Sequence, residues 1–149
     1  MSELRRPATK PALLAWANEQ LQEGVPQWTV YLRLSKMQSE SNDVREMQVV
    51  SKLMESIEDI IVDRNLKGTQ LEKDGQEDKA IALYEANISD RFDGSHPYNR
   101  LRILYKNRGD YANAIRVCEA YINNEGSDGK LCESFRAEIA KLQTKFFKA

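Results

Sequence analysis

An all-α fold is predicted by three features of the 149-residue chain. Apolar residues recur at steps of three and four through almost every segment, whereas the strict alternation of a half-buried strand is nearly absent. The second half also repeats itself at an offset of 34 residues, a period typical of stacked helical hairpins. The architecture expected is a helix-turn-helix repeat (an α-α superhelix) preceded by an N-terminal helical extension.

The first helix is expected to start near Pro11, with Leu13, Leu14, Ala17 and Leu21 on one face and Gly24 and Pro26 ending it. A second helix follows, with Trp28, Tyr31, Leu32, Leu34 and Met37 as its apolar set. Ser39 to Asp43 is a polar break rich in capping residues. From Val44 the longest uninterrupted pattern begins: Met47, Val50, Met54, Ile57 and Ile61 alternate steps of three and four, widened by Val44, Leu53 and Ile60. Neither Pro nor Gly intervenes before Gly68, so residues 43–73 form either one long helix or two that meet near Asp63. This stepping is also that of a coiled-coil seam. Packing within one chain is the primary expectation, and a homodimer through Met47, Val50, Met54, Ile57 and Ile61 is the alternative.

The remainder reads as helices over 76–90, 96–108, 111–123 and 130–147, with loops at 91–95 and 124–129. Pro97 is suited to a first helical turn behind a Ser95 cap. Asp74-Gly75 and Arg108-Gly109-Asp110 are very short turns, each with a glycine for the left-handed residue that ends a helix.

Sliding the chain by 34 residues places Leu71 on Tyr105, Gly75 on Gly109, Ala80 on Ala114, Ile81 on Ile115, Tyr84 on Cys118 and Ile88 on Ile122, without a gap. In this register the chain resembles the tetratricopeptide repeat family over residues 61–147. The resemblance implies two repeats, 61–94 and 95–128, within a segment 61–129. It also implies a C-terminal capping helix in 130–149, with residues 1–60 as an extension packing on the repeats and supplying the missing layers. Ala80 and Ala114 stand where helices cross closely, and Gly68 fits the facing small-residue slot, which Arg102 does not. The family's aromatic at the start of the first helix is kept as Tyr98 and lost as Arg64; its closing proline is replaced by Phe92 and Gly126.

Composition narrows the function classes. Apolar residues make up 41% of the chain, and 22 Lys and Arg face 23 Asp and Glu for a net charge of −1. Residues 1–74 hold 10 basic and 12 acidic residues, and 75–149 hold 12 and 11. A domain that grips a phosphate backbone usually shows a basic excess, and none exists at this scale. The longest apolar run, Ile60-Ile61-Val62, is far shorter than the roughly 20 residues of a membrane span. No signal-peptide pattern follows the basic start, so a cytoplasmic location is expected. Cys118, Cys132 and the lone His96 match no zinc spacing, and the two cysteines read as small buried hydrophobes.

No phosphate loop, nucleophile elbow or zinc-protease motif occurs. The carboxylates Glu55, Glu58, Asp59 and Asp63 lie at helix-surface spacing, and His96 has no evident partner. The chain is therefore read as a binding module and not an enzyme, with no catalytic residue, metal ligand or cofactor. The family resemblance implies a concave groove lined by the first helix of each hairpin. By register this points to Asn65, Thr69, Glu72 and Lys73, then Asn99, Ile103, Lys106 and Asn107, then Lys130, Glu133, Ala137 and Lys141. The candidate partner-binding residues are Asn65, Thr69, Asn99, Ile103, Lys106 and Lys130, and the partner is a protein or peptide segment. Asparagine both donates to and accepts from an extended backbone, and the lysines suit a carboxylate. A nucleic-acid-associated accessory protein is the alternative, using a basic patch of Arg91, Arg100, Arg102, Lys106 and Arg108.

Overall fold

The computed structural model describes residues 13–40 and 43–148, so the expectation at Pro11 lies outside the described residues. Among these residues there are seven helices and no strand. They are α1 (Leu13–Gln22), α2 (Gln27–Ser39), α3 (Val44–Lys73), α4 (Glu77–Ser89), α5 (His96–Asn107), α6 (Tyr111–Ile122) and α7 (Gly129–Lys148). The all-α class is therefore correct. The long pattern after Val44 forms one helix of 30 residues, not two. The chain divides into two compact units, Met1–Val62 and Asp63–Ala149, and α3 contributes its first 19 residues to one and its last 11 to the other.

In the first unit, Leu13 and Ala17 of α1, Val30, Leu34 and Met37 of α2 and Val50 of α3 form one buried cluster. Trp16, Leu21, Val25, Leu53 and Met54 pack around it. Val30, outside the apolar set expected for α2, is fully buried, while Leu32 is only half-buried. A helix whose cluster neighbours come from both sides buries a wider arc than a single stripe. Trp28 stacks on Tyr31 with ring centroids 4.1 Å apart, and the Tyr31 hydroxyl donates to Glu58 on α3. The polar break caps α3: Asp43 Oδ1 accepts from the backbone N–H groups of Arg45 and Glu46 at 3.0 and 3.2 Å.

This packing consumes the seam considered above for a homodimer. Val50, Ile57 and Ile61 are buried within the chain, and Met47 and Met54 are half-buried. Three of the five residues thus have no surface to offer a second copy. The same stepping serves an intramolecular core as well as a coiled coil, because periodicity reports which face is apolar and not what covers it.

In the second unit the two glycine turns are alike bond by bond. Gln76 N–H donates to Leu71 O at 2.8 Å and Gly75 N–H to Glu72 O at 3.1 Å. Thirty-four residues on, Asp110 N–H donates to Tyr105 O at 2.9 Å and Gly109 N–H to Lys106 O at 3.0 Å. Gly75 and Gly109 have φ of 76° and 74°, the left-handed geometry that closes this motif without a side-chain penalty. The following helices start alike, with Ala80 N–H on Gln76 O and Ala114 N–H on Asp110 O. Asp110 also caps α6 through Asn113 N–H, whereas Ser95, the expected cap of α5, makes no side-chain capping bond. Pro97 is in the first turn of α5, as its fixed φ favours.

Two adjoining clusters hold this unit. Ala80, Tyr84, Leu101, Leu104 and Val117 form one; Tyr98, Ala114, Cys118, Tyr121, Cys132, Phe135 and Leu142 form the other. Both alanines are fully buried, as a close helix crossing requires. The small residue in the last part of α3 has a different neighbour from the one expected. A Cβ on Gly68 would meet the ring of Tyr84, not Ala80. Both cysteines are buried and free, and burial pushes the Cys118 thiol up to about 12.

Candidate functional site

Ion pairs link the helices of the second unit to one another. Three of these pairs connect the last part of α3 to α5 and α5 to α7. Arg100 on α5 grips Glu72 on α3 through Nε at 3.0 Å and through Nη2. Arg102 and Lys106 on α5 then reach Glu138 on α7 at 3.1 and 3.6 Å. Glu85 on α4 joins α6 and α5, accepting from Arg116 and, at 2.6 Å, from the Tyr105 hydroxyl. Glu72 and Lys106 are equivalent in the 34-residue register yet carry opposite charges. Glu72 meets Arg100 on α5 and Lys106 meets Glu138 on α7, two ion pairs of opposite polarity.

A polar network lies at the α3–α5 junction. The Tyr84 hydroxyl donates to Glu72 Oε2 at 2.6 Å and lies 3.5 Å from the Thr69 hydroxyl. Thr69 Oγ1 is 3.3 Å from His96 Nε2, and the His96 ring meets Tyr84 edge to face with centroids 5.6 Å apart. Burial would raise the Glu72 carboxyl, but bonds from Arg100 and Tyr84 outweigh it and hold the group below its ordinary range. Tyr84 is pushed up to about 12, first by burial and then by its bond to Glu72. Burial against Tyr84, followed by the charge of Arg100, lowers His96, with Glu72 opposing. His96 therefore has partners that its place at a helix start did not reveal.

The candidate residues meet different fates. Asn65 Oδ1 accepts from the buried Asn87 Nδ2 at 2.9 Å, and Asn87 Oδ1 accepts from Arg64 at 3.2 Å. Thr69 donates to the Asn65 carbonyl at 3.0 Å. These two side chains thus join a network that fastens α3 to α4 and α5. Asn99 does not repeat the role of Asn65. The register places Tyr121 where the first copy has Asn87, and its hydroxyl accepts from Asp128 N–H at 3.0 Å. Asn99 and Ile103 are half-buried on α5, Lys130 is exposed at the start of α7, and Lys106 is drawn to Glu138. The structure places Glu72, Arg100 and His96 beside Thr69, and Glu138 beside Lys106.

The basic patch considered for nucleic acid is largely neutralised. Arg100 pairs with Glu72, Arg102 and Lys106 with Glu138, and Arg108 with Asp78 at 2.8 Å and Glu77 at 3.7 Å. Arg91 is exposed and has a φ of 65°, and its carbonyl accepts from Asn124 Nδ2 at 2.9 Å. Among the described residues no three His, Cys, Asp or Glu side chains are grouped to hold a metal. No helix among them is long and apolar enough to cross a membrane. No protein-family model, curated protein or solved structure matches the chain.

Proposed function

We propose that residues 61–148 form a short tetratricopeptide-type array, two hairpins and a closing helix, that presents its first-helix layer to a protein or peptide segment. The observation that carries this reading is the pair of charge-reversed ties, Glu72 to Arg100 and Lys106 to Glu138, which link α3 to α5 and α5 to α7. In the family that the sequence resembles, the corresponding layer lines the groove. The matching hydrogen bonds of the two glycine turns support the same register. Asn99, Ile103 and Lys130 are the candidate residues left for a ligand: an amide, an apolar contact and an exposed cation.

Site-specific photocrosslinking in cells tests the reading. A crosslinking residue at Asn99 or Lys130 should capture a discrete protein partner, while one at exposed Glu119 on α6 should not. Equal capture from both layers, or capture from Glu119 alone, sinks the assignment. Nucleic acid crosslinked from position 99 would replace it with the accessory-factor reading. In that case binding should weaken steeply with salt as phosphates are released.

A further inference from the structure

The part of α3 that belongs to the first unit carries two apolar stripes. One is Val50, Ile57 and Ile61, all buried within the chain. About a quarter-turn from it, Val49, Leu53, Ser56 and Ile60 step by four, three and four, and at 3.6 residues per turn they fall within an arc of about 60°. Val49 and Ile60, at the two ends of this second stripe, are about three turns apart and point the same way. They are 43% and 38% exposed, Ser56 is exposed, and Leu53 is half-buried where it packs against the core cluster. All four residues lie in the unit Met1–Val62.

Charge borders this stripe on the side away from the core. Lys52 and Asp59 fall about 20° apart around the helix axis, and both are exposed and make no ion pair among the described residues. The border is thus basic towards the N-terminal end of the stripe and acidic towards the C-terminal end. Such a stripe is its own complement when reversed. Two copies of α3 laid antiparallel about a two-fold axis, midway between residues 54 and 55, set Val49 opposite Ile60 and Leu53 opposite Ser56. Lys52 then stands about 3 Å along the axis from Asp59 of the second copy, on the same side of the contact and within reach of a lysine side chain. The two-fold axis makes the pair occur twice. A parallel alignment would instead set Lys52 against Lys52 and Asp59 against Asp59.

We propose that this flank of α3 is an isologous dimer contact, in which the Val49–Ile60 stripe pairs antiparallel with the same stripe of a second copy and Lys52 of each chain meets Asp59 of the other. The occupant is a second copy because the order of apolar and charged positions along the stripe matches its own reverse, which is what a two-fold contact requires. Charge fixes the orientation, and Val49 and Ile60 supply the apolar burial. A single helix flank is small beside a standard interface of about 800 Å² per partner, so the dimer is expected at micromolar concentrations and above. The buried stripe at Val50, Ile57 and Ile61 takes no part in it. The proposal is independent of the groove reading and uses none of its residues.

Sedimentation equilibrium on the full chain between about 5 and 500 μM provides the test. The wild type should show a weight-average mass that rises towards the dimer and no further, because an isologous contact closes on itself. Val49→Glu and Ile60→Glu should each weaken association at least tenfold, with circular dichroism unchanged because both side chains are exposed. Lys52→Glu alone and Asp59→Lys alone should also weaken it, since like charges then face each other across the two-fold axis. The double reversal, Lys52→Glu with Asp59→Lys, should recover association, because the pair is restored with its polarity inverted. A wild type monomeric at every concentration overturns the proposal, as does association that survives both Val49→Glu and Ile60→Glu. A double reversal no stronger than the single ones overturns it too, since the antiparallel pairing would be absent. So does a mass that grows beyond the dimer, since the contact would then not close.

Discussion

A Cβ placed on Gly68 would lie 2.5 Å from Cε1 and 2.8 Å from Cζ of Tyr84, so the helix α3 and the ring on α4 are as close as glycine permits. The ring has no room to retreat: Tyr84 is fully buried and its hydroxyl is held by Glu72. On an isolated helix, Gly68→Ala would be favourable by up to about 1 kcal/mol. Here the displaced ring should reverse the sign, giving a net loss of about 1–2 kcal/mol. Thermal melting should show a fall of about 5–10 °C. An unchanged or raised midpoint would mean that the crossing is looser than described.

Ala80 and Ala114 occupy equivalent positions and are fully buried, while Ala82, two residues along, is exposed. Arginine at either buried position forces a charge into a helix crossing and should cost about 3 kcal/mol or more. Ala82→Arg should melt within about 0.5 kcal/mol of the parent. If all three variants melt alike, the 34-residue register has no structural meaning.

Glu72 is held ionised in the fold by Arg100 and Tyr84, against the opposing effect of burial. A carboxyl with a lowered folded pKa contributes stability that is present above its unfolded value and lost as pH falls through the folded one. Glu72→Gln should therefore melt below the wild type at pH 7, by about 1 kcal/mol for a partly exposed bidentate pair. The gap should close as pH falls below the ordinary carboxylate pKa of 4.5, because the wild-type carboxyl is then protonated too. A gap independent of pH would assign the effect to shape alone.

His96 is the only histidine, so its ring resonances can be followed by NMR without ambiguity. Its titration should fall below the ordinary 6.5, chiefly through burial and then through Arg100. The neutral form is the one the fold favours. This contribution to stability is thus present above pH 6.5 and declines as pH falls through the folded midpoint. Arg100→Gln should move the midpoint back towards 6.5. A midpoint at or above 6.5 in the wild type would contradict the described surroundings of the ring.

Asn124 closes the loop between α4 and α5. Its buried Nδ2 lies 2.9 Å from the Arg91 carbonyl, 2.8 Å from that of Phe92 and 3.1 Å from the Tyr98 hydroxyl. Asn124→Ala should cost about 1–3 kcal/mol, because the Arg91 and Phe92 carbonyls lose the donor of a buried side chain. Hydrogen exchange should accelerate first at residues 91–98. Uniform acceleration across the second unit would instead make Asn124 part of the core.

The sequence by itself determined the helices and their turns. Apolar stepping located α4 to α7 within one or two residues, and Gly75 and Gly109 located two turns, because these signals act through neighbours three to five residues away. Tertiary structure decided which faces remain available. The seam at Val50, Ile57 and Ile61 looks the same whether a neighbouring helix or a second chain covers it, and here it is buried within the chain. Asn65 and Thr69 read as groove residues until Asn87 and His96, more than twenty residues away, engage them. Arg100, Arg102 and Lys106 read as a basic patch until Glu72 and Glu138 neutralise them across the helix layer. Local periodicity encodes the element and its apolar face, whereas the charge and hydrogen-bond partners of a side chain are set by what folding brings alongside it.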